Sequence, residues 1–165
     1  MAAIEAEVLA AVVPLVAHRL RIVLDRRGRH RLEISALEGA PDRVRLGVAT
    51  ERVRSDDPFL CHKTTRRAIY DRARSANPAA DDVLLVNERD EVVETTVANL
   101  LYRLGDAWFT PPLSSGGLPG VGRDVQLQAG AVVERVLPLH ELAECDELAV
   151  VSSLRGRRSA AILQG

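Results

Sequence analysis

The sequence predicts a mixed α/β (α+β) protein. Three observations lead there. Apolar and polar residues alternate around Leu20, Ile22 and Leu24 and again at Val44, Leu46 and Val48, the period of half-buried strands. Val83-Leu84-Leu85-Val86 is an unbroken apolar run, the mark of a strand buried on both faces. Helix-forming stretches fall between the strands at irregular intervals, as in α+β folds. With 165 residues and 47% hydrophobic content, the chain can bury a real core as one domain, or as one domain plus a fragment.

The composition also excludes several roles. Twenty-two basic and 23 acidic residues leave a net charge of -1, which argues against a nucleic-acid surface or a polybasic membrane patch and for a small-molecule ligand. The longest apolar stretch, Val8 to Ala17, contains Pro14 and is too short to span a bilayer. Glu5 and Glu7 stand where a secretory leader would carry basic residues, so a cytoplasmic protein is expected. Cys61 and Cys145 lack C-x-x-C spacing and indicate neither a zinc site nor a disulfide framework.

Taken in order, Ala3 to His18 predicts a helix that Pro14 kinks or ends. A hairpin follows, with the RRGR turn between strands near 20–24 and 30–37, and then the strand of Val44 to Val48. The polar segment Ser55-Asp56-Asp57-Pro58 is the expected boundary between a partial N-terminal domain, 1–55, and a larger domain, 56–165. Thr64 to Ala76 predicts a helix stopped by Asn77-Pro78, with Lys63 at its entrance. Val86 to Asn99 reads as strand, tight turn, strand. Asn99 to Leu104 and Trp108 to Thr110 form a hairpin about Gly105-Asp106, and Val121 to Ala129 a helix opening after Pro119-Gly120. Ala131 to Leu137 is expected as a strand, Pro138 to Glu144 as a short helix, and Leu148 to Ser152 as the last strand.

Several residues invite chemistry. A lysine beside a helix entrance can serve as a nucleophilic amine, although Lys63 also lies in a basic run with His62, Arg66 and Arg67, where a solvated lysine is ordinary. Glu94 follows two valines, an odd place for a carboxylate unless it points into a site or accepts backbone N–H bonds. Asn99 suits a strand end. The Gly-Pro loop GGLPGVGR leaves the first amides of the following helix facing outward as an anion site, or is a plain glycine-rich connection. Ser152 and Ser153 could add hydroxyls to the same anion, while Arg155 and Arg157 read equally well as a solvated basic tail.

The order of HKTTRR, NERDEVVETTVANL, TPPLSSGGLPGVGR and ERVLPLHELAECDELAVVSSLRG resembles the large domain of the class IV (fold type IV) pyridoxal-phosphate enzymes, over about residues 44 to 163. These include branched-chain and D-amino-acid aminotransferases and 4-amino-4-deoxychorismate lyase. HKTT with SLRG is most similar to the lyase branch. The resemblance implies pyridoxal 5'-phosphate as cofactor, attached covalently to Lys63, with Glu94 paired to its ring nitrogen and Asn99 beside it. Val121 and Gly122 match the backbone donors to the cofactor phosphate, and Ser152 and Ser153 match the loop that meets phosphate and substrate. Arg67 and Arg155 are the candidates for a substrate carboxylate.

The implied activity is conversion of 4-amino-4-deoxychorismate to 4-aminobenzoate and pyruvate in folate biosynthesis. The alternatives are a class IV aminotransferase and a truncated, non-catalytic remnant of the fold. The sequence departs from the family pattern in two places. No RH-x-x-RL-like segment supplies the usual upstream phosphate arginine, so the chain reads as beginning inside the small domain. Gly122 also stands where a hydroxyl residue or methionine is usual. A homodimer is expected, since family members place their sites near a two-fold interface.

Overall fold

The computed structural model describes residues 2–12 and 16–163, and the chain forms two compact units, Met1–Ala40 and Pro41–Gly165. In the first, helix α1 (Ala2–Ala11) precedes the antiparallel strands β1 (His18–Leu24) and β2 (His30–Ala36). The expected RRGR turn is closed by the Asp25 carboxylate, which accepts from Arg27 N at 2.8 Å and Arg29 N at 2.9 Å, while Gly28 takes a φ of 78°. The helix is shorter than expected. His18 already pairs with Ala36, so strand pairing claims the residues at its expected end, and Pro14 lies outside the described residues.

The second unit begins with β3 (Arg43–Val53), which pairs with strands from further along the chain. That pairing is why the compact units part at Ala40/Pro41, upstream of the expected boundary at 55/56. A four-residue helix α2 (Pro58–Cys61) follows, with its first turn capped by Asp57, which accepts from Phe59 N at 2.9 Å. Helix α3 (Ala68–Ser75) starts later than expected, so Lys63 lies in an irregular connection rather than at a helix entrance.

Strands β4 (Asp82–Asn87) and β5 (Glu91–Thr95) form the expected hairpin, its turn held by Asp90 at a φ of 56°. Strands β6 (Asn99–Leu104) and β7 (Ala107–Thr110) make the next, and helix α4 (Val121–Gln128) follows the Gly-Pro loop. The expected strand at 131–137 is instead two short bridges, β8 (Val133–Glu134) and β9 (Leu137–Pro138), and Leu139–Glu144 is a 3-10 turn. Strand β10 (Glu147–Ser152) is not the last. Residues read as a basic tail form β11 (Gly156–Ile162), antiparallel to β10 and parallel to β3, and Arg157 stacks on Trp108 at 3.7 Å.

These strands make one nine-stranded sheet in the order β8-β7-β6-β10-β11-β3-β4-β5-β9. Its two edges are neighbours in sequence, with only Arg135 and Val136 between β8 and β9, so the sheet curls until the edges meet. Tyr102 Oη, from the middle of β6, donates to Arg135 O at 2.8 Å across that seam. One cluster packs Val44, Leu46, Leu84, Val92, Leu100, Tyr102 and Val150. On the other face of the same strands, Val83, Leu85 and Val93 pack with Leu60, Tyr70 and Ala73 beneath α2 and α3. The solid run Val83–Val86 serves both clusters, as its lack of alternation requires. Leu84 has no exposed surface. Leu84→Ala should cost about 2–5 kcal/mol of stability, read as a lowered midpoint in urea at an unchanged slope.

Candidate active site

Glu94 is the residue around which the site is assembled. It sits in β5 with 4% of its surface exposed. Its Oε2 accepts from Asn99 Nδ2 at 3.0 Å and from Leu118 N at 3.1 Å, and its Oε1 lies 3.3 Å from Tyr70 Oη. Burial pushes the carboxyl from an ordinary 4.5 up to about 8. The Leu118 N–H, the Tyr70 hydroxyl and the charge of Lys63 act in the opposite sense, and the charge of Asp82 adds to the rise.

The donors are placed by local structure. The turn between β5 and β6 is closed by Thr95, whose Oγ1 accepts from Ala98 N at 2.9 Å, and this sets Asn99 beside Glu94. Asn99 Nδ2 also donates to Leu118 O at 2.9 Å, which ties the Gly-Pro loop to the floor. A side chain at position 120 would place its Cβ 2.0 Å from Asn99 Oδ1, so only glycine allows this approach. Gly122 is equally constrained, since its Cβ would lie 2.9 Å from the Ser152 carbonyl carbon. Helix α4 therefore begins hard against the end of β10, and no side chain caps its first amides.

A cleft of about 320 Å³ lies above this floor, within the range of small-molecule sites. Lys63, Arg67, Glu94, Asn99, Val121, Gly122, Ser152 and Ser153 all line it. Lys63 is exposed. Arg155 does not line the cleft; its backbone N–H donates to Ser152 Oγ at 3.3 Å in the turn after β10. Arg67 lines it but is engaged in structure, with Nη2 donating to Thr96 O at 2.7 Å and its guanidinium 4.7 Å from the Tyr70 ring centre. The arginine of GVGR turns away from the cleft. Arg123 is buried, donates to Pro111 O at 2.9 Å and pairs with Glu134, which anchors α4.

The sequence reading did not single out Tyr70, the Leu118 amide or Arg66. Tyr70 lies one helical turn past Arg67 and is one of two tyrosines in the chain, a faint signal. Leu118 contributes only its backbone, which side-chain identity cannot reveal. Among the described residues, no group of His, Cys, Asp or Glu could hold a metal ion, and no helix is long and apolar enough to cross a membrane.

A curled mixed sheet that buries one acid beneath a cleft carrying a lysine defines a class of protein, and sequence comparison identifies it. The chain belongs to the amino-transferase class IV family, whose model matches residues 5–162, and enzymes of this family use pyridoxal phosphate. It is 29% identical over 120 residues to an aminodeoxychorismate lyase of Vibrio harveyi, covering 68% of this chain and 44% of that protein. It is 35% identical over 105 residues to a Schizosaccharomyces pombe protein provisionally named aminodeoxychorismate lyase, covering 61% and 45% respectively. The chain thus spans about half the length of the named relatives it matches. Its structure superposes with a TM-score of 0.91 and 34% identity on a Mesorhizobium loti protein provisionally named an amino-acid aminotransferase, covering 98% of this chain and 80% of that one.

The raised acid has a measurable consequence for the ligand-free protein. A carboxyl whose folded value lies above its unfolded one stabilises the fold fully at pH below about 4.5, and that stability drains away as pH rises through about 8. Stability should fall across that window by on the order of 4 kcal/mol more in the parent chain than in Glu94→Gln, which cannot ionise. Urea unfolding of the two proteins from pH 5 to 9 measures the difference.

Proposed function

We propose that the cleft holds pyridoxal phosphate on Lys63 and that the protein is a lyase converting 4-amino-4-deoxychorismate to 4-aminobenzoate and pyruvate. Glu94 carries this reading: a buried carboxyl hydrogen-bonded only by neutral donors, at the floor of a cleft that Lys63 also lines. Such an acid suits a protonated ring nitrogen, whose charge would offset the desolvation of the carboxylate. The uncapped amides of Val121 and Gly122 suit the phosphate, and the glycines at 120 and 122 leave the backbone bare for close approach. Ser152 and Ser153 add hydroxyls on the same wall.

When bound, the cofactor supplies an electron sink for a carbanion beside the substrate nitrogen. Glu94 holds the proton at the ring nitrogen. Lys63 Nζ would act as the base that removes the proton from the substrate carbon bearing the amine. In the lyase reaction the C–O bond to the enolpyruvyl group then breaks, that group leaves with the electron pair and takes up a proton as pyruvate, and the ring is left aromatic. Arg66 at the cleft suits a substrate carboxylate better than Arg67 or Arg155: it rests 4.0 Å over the Phe59 ring and makes no ion pair among the described residues.

The names of the relatives support the lyase, and the Mesorhizobium loti structure, similar over nearly the whole chain, supports a second reading as an aminotransferase. One experiment addresses both. Borohydride reduction of protein saturated with pyridoxal phosphate should place the label on the peptide containing Lys63, the only lysine in the chain. The same preparation, given 4-amino-4-deoxychorismate, should release 4-aminobenzoate and pyruvate. Transfer of amino groups from amino acids to a keto acid, without 4-aminobenzoate, selects the aminotransferase, and an unlabelled Lys63 removes both.

The protein is also read as a homodimer, as the resemblance implies. Sedimentation at micromolar concentration should give twice the 18.0 kDa chain mass.

A further inference from the structure

Glu94 Oε2 already accepts two N–H bonds, from Asn99 and Leu118. The proton of the neutral acid must therefore sit on Oε1, and the group facing Oε1 is the Tyr70 hydroxyl at 3.3 Å. A hydroxyl can accept from a neutral acid and, by rotating its own hydrogen, donate to a carboxylate. No other described partner of Glu94 can do both, since an amide N–H only donates. We propose that Tyr70 is a positioning residue that lets Glu94 exchange between its neutral and ionised forms without leaving either oxygen unpaired inside the fold. The inference rests on the reading of Glu94 as the partner of a ring nitrogen, and it concerns how that acid becomes ready for the role.

The surroundings of Tyr70 serve such a function. Tyr70 is 8% exposed, so its ring cannot swing into solvent while the hydroxyl turns. Arg67 stacks on the ring at 4.7 Å and is itself held by Thr96 O at 2.7 Å. Thr96 is fixed by buried Asp82, which accepts from Thr96 Oγ1 at 2.5 Å and Thr96 N at 3.2 Å. The brace thus returns to the residue two places after Glu94. Burial, then the neighbouring Glu94 charge, raise the phenol far above its ordinary range, so it keeps its proton wherever the site works. The other charges acting on Glu94 are Lys63 from the connection before α3 and Asp82 from β4, which oppose each other; Arg74 lies 3.5 Å from Asp82.

Loss of the hydroxyl removes a bond that is stronger to the ionised acid than to the neutral one, so Glu94 should hold its proton to higher pH. An infrared titration of the full chain, dialysed free of pyridoxal phosphate, follows the protonated-carboxyl band, and Glu94→Gln identifies the part due to Glu94. Tyr70→Phe should move its midpoint up by roughly one pH unit or more, the size of one hydrogen bond to a charged group. An unmoved midpoint in folded Tyr70→Phe overturns the proposal. Should that variant fail to fold, 3-fluorotyrosine incorporation decides: its more acidic phenol is the stronger donor and should lower the midpoint, and no shift overturns the proposal. The other tyrosine, Tyr102, bonds Arg135 O and does not touch Glu94. Because no cofactor is present, failure of Lys63 to take a borohydride label would remove the cofactor reading and leave this titration standing.

Discussion

Only Arg135 and Val136 separate β8 from β9, yet these bridges lie at opposite ends of the strand order. The sheet must therefore curl through nine strands within a few residues of its own far edge, and Tyr102 fastens the seam from inside by donating to Arg135 O. A curled sheet has a buried interior as well as a face for helices, which is why β4 is apolar on both sides. The curl also brings the ends of β5, β6 and β10 and the start of α4 to one place. The Glu94–Asn99 turn, Gly122 and Ser152 are far apart in sequence and line one cleft for that reason.

Within the cleft the governing quantity is the desolvation of Glu94. Three neutral donors do not offset it, and the acid stays protonated at neutral pH in the ligand-free protein. A cationic ring nitrogen would reverse that balance, since an opposite charge at hydrogen-bond distance favours the ionised form. The ligand-free site thus keeps its desolvated acid in the neutral form, at a cost to stability at neutral pH. Stability given up at such a position is a common feature of functional sites.

The arginines show how poorly residue type alone assigns work. Arg67, Arg123 and Arg155 lie in segments that resemble cofactor or substrate motifs. Arg67 braces Tyr70 and Thr96, Arg123 is buried against Pro111 O and Glu134, and Arg155 lies in the turn after β10, off the cleft. Each guanidinium has several donors in a planar fork, so it can satisfy backbone carbonyls as readily as a ligand. At positions 120 and 122, by contrast, the close approaches follow from the missing side chain itself.

The sequence by itself determined the local elements whose period is unambiguous: the β1/β2 hairpin, the solid strand β4, the β6/β7 hairpin and the start of α4 after Pro119-Gly120. Motif order also picked out Lys63, Glu94, Asn99, Val121, Gly122, Ser152 and Ser153, which line the cleft, but it included Arg155, which does not. Tertiary structure decided the rest. Strand pairing drew β3 into the large sheet, because hydrogen-bonded partners far along the chain outweigh local propensity. It turned 156–162 from an apparent basic tail into a strand, since β10 and β3 offered two edges to join. It also set Tyr70 against Glu94, a contact between a helix and a strand 24 residues apart. No local pattern encodes such a contact, because it depends on where the packed sheet places α3.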